Sequence, residues 1–149
     1  MGDAQLLELV LAVQLAASGV MLGTIWIVQR LVYPTFATIP EHAWREHHDT
    51  HSSRITPIVL PAMAIELAAA TWLAIARPPG LPTGLIVANV ALAAVTWALT
   101  AHISARRHMP LGSSYDPVMC ARLVSTNRAR TLVWSIRVPV CVALMVAGS

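Results

Sequence analysis

Between Glu8 and Arg30 the chain runs for 21 residues, Leu9 to Gln29, without a charged side chain. Few folds accept such a run. A helix needs about 20 mostly apolar residues to cross the ~30 Å hydrocarbon core of a bilayer, and this segment meets that length. It is longer than the apolar core of a secretory signal, and Asp3 and Glu8 precede it instead of basic residues, so it reads as a retained span. Three further stretches, at about 55–76, 83–103 and 125–146, are also long and apolar enough to span, although the first of them carries Glu66 and the last is polar in its first half, with Arg128, Arg130 and Arg137.

Composition points the same way. Of 149 residues, 56% are apolar and 11% charged, against roughly 45–50% and about 25% in a soluble domain. This excludes an ordinary soluble domain, a disordered chain and a disulfide scaffold. Cys120 and Cys141 lie on one expected helix, roughly 31 Å apart at about 1.5 Å per residue, beyond the ~7 Å limit for a disulfide. No C-x-x-C pair is present. The expected fold is all-α: one domain, 1–149, forming an integral membrane bundle of four transmembrane helices, with an interfacial helix between spans one and two.

All ten cations are arginines, and their placement sets an orientation. The first connection holds Arg30, Arg45 and Arg54, and the third holds Arg106, Arg107 and Arg122. The amino end, the second turn and the carboxyl end together hold only Arg77. The positive-inside rule then puts both termini outside and the two longer connections in the cytoplasm, as in a bacterial plasma membrane. The net charge of +3 reflects this topology and argues against nucleic acid as a partner. Membrane lipid is the expected surrounding, and a homo-oligomer stays open.

Local signals punctuate the spans. Arg77-Pro78-Pro79-Gly80-Leu81-Pro82 reads as a short turn. Asp116-Pro117 marks a helix start, with an acid at the cap and proline at the first helical position. Thr38-Ile39-Pro40-Glu41 fits a capping box. It would introduce the histidine-rich segment 41–51 as an interfacial helix.

Candidate functional residues are those in the wrong solvent. Glu66 lies near the middle of span two, where a charge costs about 2.5–3.5 kcal/mol and calls for a partner. Asn127, Arg130, Trp134, Arg137 and Cys141 repeat at three and four residues, a single face of the fourth helix. Arg137 is too deep to snorkel, so a buried partner is expected, either Glu66 or a ligand oxygen. His47, His51 and Arg54 share a face, with His48 beside them. Imidazoles four apart can ligate one metal, and His102 falls on the same side of the membrane. The plain alternative is polar histidines facing the surface. Gln14, Ser18 and Gln29 on span one, with Asn89, Thr96 and Thr100 on span three, suit a lined cavity or ordinary glue between helices. Trp26, Trp72 and Trp97 read as interface anchors or packing.

The fourth-helix sequence Asn127-Arg128-Ala129-Arg130-Thr131-Leu132-Val133-Trp134-Ser135-Ile136-Arg137, written N-x-x-R-T-x-x-W-x-x-R, resembles a motif of the anthrone-oxygenase-like family of small four-helix membrane proteins. Leu31-Val32-Tyr33-Pro34 and the two-proline second span extend the likeness loosely. The resemblance covers the layout of the whole chain and about a dozen residues in detail, Asn127, Arg130, Trp134 and Arg137 among them. It does not extend to the histidines at 47–51. It implies oxidation of an activated aromatic methylene to a carbonyl by oxygen, without an obvious organic cofactor.

The leading expectation is a membrane oxidoreductase acting on a small lipophilic substrate in a cavity open to the cytoplasmic side. Arg130 and Arg137 would stabilise an enolate or phenolate oxygen, and His47, His51 or Glu66 would serve as base. Asn127, Trp134 and Asn89 would contact substrate. Two alternatives stay open. One is a metal or haem protein using His47, His48, His51 and His102. The other is a non-enzymatic membrane subunit or transporter.

Overall fold

A computed structural model describes residues 2–101 and 115–148, and among them the chain is helical apart from its turns. Helix α1 covers Asp3–Ile27 and continues through a π turn, Val28–Val32, into the short turns Tyr33–Thr35 and Phe36–Thr38. Helix α2 covers Glu41–Ala76, α3 covers Thr83–Ala98, and α4 covers Pro117–Gly148. Each of the four, α3 taken together with the π-type turn to Ala101, is long and apolar enough to cross a membrane. Each packs on its neighbours in chain order, with α4 closing the ring against α1. This is an up-down-up-down arrangement.

The bundle buries a set of polar side chains among its apolar core and is apolar outside. Gln14, Ser18, Glu66, Asn89, Asn127, Arg130 and Arg137 are all buried, whereas Leu31, Ile75 and Val146 are 64%, 78% and 71% exposed. In water such a surface would be a severe liability. In hydrocarbon it is the expected one, because lipid tails solvate the apolar face and the polar groups must pair inside.

Two local expectations are corrected. Thr38 does not cap α2: Pro40 occupies the cap position, and the Thr38 hydroxyl donates to the Thr35 carbonyl at 2.8 Å. Nor is 41–51 a separate interfacial helix. It forms the first turns of α2, which runs unbroken for 36 residues, roughly 54 Å at 1.5 Å per residue. Nothing in 41–56 ends a helix, and Pro57 and Pro61 are accommodated within it. Proline is tolerated where neighbouring groups take up the freed backbone.

Other expectations match the geometry. Asp116 Oδ1 accepts the Val118 N–H at 2.8 Å, with Pro117 opening α4. Arg77 ends α2 in the left-handed region at φ 44°, and Gly80 follows at φ 92°.

The π turn positions the site. Pro34 has no N–H to return to the Arg30 carbonyl, and Tyr33 N–H reaches back five residues to the Val28 carbonyl. The extra residue in the turn re-aims Tyr33, which is buried beside Phe36 with ring centroids 5.2 Å apart. A second π-type turn covers residues 99–101 at the same end of the bundle. Such turns cluster at functional sites.

Candidate functional site: two polar regions on one helix face

The buried polar side chains sort into two regions. The deeper one centres on Glu66. Arg137 Nε donates to Glu66 Oε1 at 2.9 Å, and Ser18 Oγ donates to the same oxygen at 2.6 Å. Trp134 Nε1 donates to Glu66 Oε2 at 3.1 Å. The remaining guanidinium nitrogens of Arg137 reach the Asn89 carbonyl at 2.7 Å and the Glu66 carbonyl at 3.4 Å. Gln14 and Asn89 exchange a pair of amide hydrogen bonds at 3.0 and 3.2 Å, and Gln14 Nε2 also lies 3.2 Å from Cys141 Sγ. All four helices contribute to this knot, and every member is buried. Its charges cancel and its donors are used.

The second region lies one to two turns nearer the arginine-rich end. Arg130 is 6% exposed, yet it has no carboxylate partner among the described residues. Its NH1 donates to Asn127 Oδ1 at 3.2 Å, and Tyr33 is its hydrogen-bonding neighbour. Its guanidinium carbon sits 5.6 Å from the centre of the Trp134 ring. Its Nε has no partner. A buried donor left unmade is costly, by about 1–3 kcal/mol or more for a charged group, and such a group calls for an explanation. Here Arg130 faces a cavity of about 280 Å³, lined mainly by apolar side chains with Tyr33, His51 and Thr100 among them.

Trp134 separates the two regions. Its indole N–H belongs to the knot and its ring face to Arg130. Asn127 props the cavity from behind: its Nδ2 donates to Gln29 Oε1 at 2.9 Å while its Oδ1 accepts from Arg130.

The histidines pack among aromatic rings. Phe36 stands between His47 and His51, with centroids 5.6 and 5.5 Å away, and Trp44 lies 5.8 Å from the buried His48. His51 lines the Arg130 cavity. His47, His51 and Arg54 share a second, adjoining hollow between α1 and α2. Among the described residues no three His, Cys, Asp or Glu side chains converge to hold a metal ion. His102 lies outside the described residues.

Of the residues singled out in the sequence, Arg130 and His51 share a cavity. Glu66, Arg137, Trp134 and Asn89 join the knot instead, and Asn127 supports Arg130 from outside the cavity wall. The feature that periodicity missed is Tyr33. The Tyr33-Pro34 pair was its only signal, because proline forces the π turn that aims the ring.

No family model matches the chain, and no curated protein or solved structure matches it.

Proposed function

We propose that the chain is an integral membrane protein of the bacterial plasma membrane, with its arginine-rich end in the cytoplasm. We further propose that it is an oxidoreductase of the anthrone-oxygenase type, taking a small lipophilic substrate into the Arg130 cavity. The observation that carries the reading is a buried Arg130 without a carboxylate partner among the described residues, lining an apolar cavity that His51 and Tyr33 also line. A cavity of about 280 Å³ falls just below the range of ligand sites, about 300 to 1,000 Å³.

The chemistry follows from the charges. An aromatic ketone with an activated methylene becomes reactive toward oxygen when it loses a proton and forms an enolate. The Arg130 guanidinium, fixed in a low-dielectric wall, favours negative charge on the enolate oxygen, and the Tyr33 hydroxyl can donate to the same atom. His51 takes the methylene proton. Dioxygen then accepts the electrons: the methylene loses two hydrogens, one oxygen atom becomes the carbonyl, and the other leaves as water. The knot does not take part. Glu66 and Arg137 hold the helices at the spacing that keeps the cavity open.

The test is oxygen-dependent oxidation of an anthrone by the full chain in lipid vesicles. Arg130→Gln lowers the rate by about 10²–10³, and His51→Ala lowers it by about 10²–10⁴. Wild-type rates in both variants, or no oxidation by the wild type, overturn the reading.

A further inference from the structure

A second site lies on the outer face of the bundle, where α1 and α4 meet at the arginine-rich end. A groove of about 650 Å³ runs between them, with Arg30 on one wall and Arg128 on the other. Both arginines are exposed, and among the described residues neither forms an ion pair. No acid on either helix answers them. Asp3 and Glu8 stand at the far end of α1, and Asp116, at the start of α4, is roughly 18 Å from Arg128 along the helix at 1.5 Å per residue.

Trp26 shapes the floor of the groove. Its indole N–H donates to Ser135 Oγ at 3.1 Å, which ties α1 to α4, and the Arg30 guanidinium carbon stands 5.9 Å from its ring centre. Tryptophan at this level marks the boundary between headgroups and hydrocarbon. In the groove itself Pro34, Val124 and Leu132 add apolar surface, and Leu132 is 61% exposed. Cationic walls, an amphipathic floor and an apolar flank match one kind of molecule.

We infer that this groove binds an anionic phospholipid, its phosphate between Arg30 and Arg128 and its acyl chains along the flank. A free phosphate would find the two cations but have no use for the apolar surface. The anionic lipids of a cytoplasmic leaflet are drawn to such arginines. The inference rests on the membrane reading and is independent of the enzymatic one, since neither arginine reaches the Arg130 cavity.

The test titrates the full chain in detergent micelles with phosphatidylglycerol or phosphatidylcholine carrying a dansyl group on the acyl tail. Energy transfer from the tryptophans reports binding. Phosphatidylglycerol binds at least about fivefold more tightly than phosphatidylcholine. The Arg30→Gln/Arg128→Gln variant loses that preference, Arg30→Lys/Arg128→Lys retains it, and Arg45→Gln, an exposed arginine elsewhere on the same side, leaves it unchanged. Equal affinity for the two lipids in the wild type overturns the inference without recourse to any variant. So does a preference that survives in the double glutamine variant. Displacement of labelled phosphatidylglycerol by millimolar inorganic phosphate as readily as by unlabelled lipid assigns the groove to free phosphate and also overturns it. A failed anthrone assay leaves all of these readouts intact.

Discussion

Arg130 and Arg137 stand two turns apart on one face of α4, and they differ in what closes around them. Arg137 meets a carboxylate, two backbone carbonyls and a network drawn from every helix. Arg130 meets an amide, a tyrosine and a ring face, and its Nε stays buried without a partner beside a cavity that the residue lines. Both are buried cations with the same helical phase. What separates them is completeness. A satisfied buried network rigidifies a bundle, whereas a partly satisfied one stays high in energy until something fills it.

The sharpest way to break this contrast is to unbalance the knot. Glu66→Ala leaves Arg137 buried without its counter-charge, and thermal unfolding in detergent should report a loss of about 3–5 kcal/mol. Removing both charges should hurt less than the sum of the two single changes. A double-mutant cycle with Glu66→Leu and Arg137→Met is expected to give a coupling of about 1–3 kcal/mol. Ser18→Ala removes one hydrogen bond to a charged oxygen and is expected to cost about 1.5–3 kcal/mol, with no effect on ligand binding at the Arg130 cavity. Arg77→Gly lies outside both regions. It relieves a left-handed backbone at φ 44°, so it should raise stability by about 1 kcal/mol and leave oxidation of an anthrone unchanged.

Parts of this contrast were legible in the residues themselves. The charge-free run Leu9–Gln29, the Arg77–Pro82 turn and the Asp116-Pro117 start depend on local chemistry, and local chemistry is written in order along the chain. The stripe from Asn127 to Cys141 also showed itself, since helical period alone places those residues together. Period gives a face but no neighbour. It could not tell that Arg137 meets Glu66 inside a four-helix knot while Arg130 opens on a cavity. Tyr33 was hidden for a related reason: its direction depends on one extra residue in a π turn. The Thr38 box failed because Pro40 fills the cap position and the Thr38 hydroxyl turns back to Thr35. Spacing suggested metal chemistry for the histidines at 47–51, and it could not show that Phe36, in the turns after α1, stands between His47 and His51.

The central claim is that the knot holds the bundle and the Arg130 cavity does the chemistry. The most direct measurement takes one preparation of Arg130→Gln in lipid vesicles and reads thermal unfolding and anthrone turnover together. The account predicts a melting temperature within about 4 °C of wild type, equivalent to roughly 1 kcal/mol, and a turnover lower by about 10²–10³. A melting temperature that falls as far as that of Glu66→Ala, or a turnover equal to wild type, contradicts it.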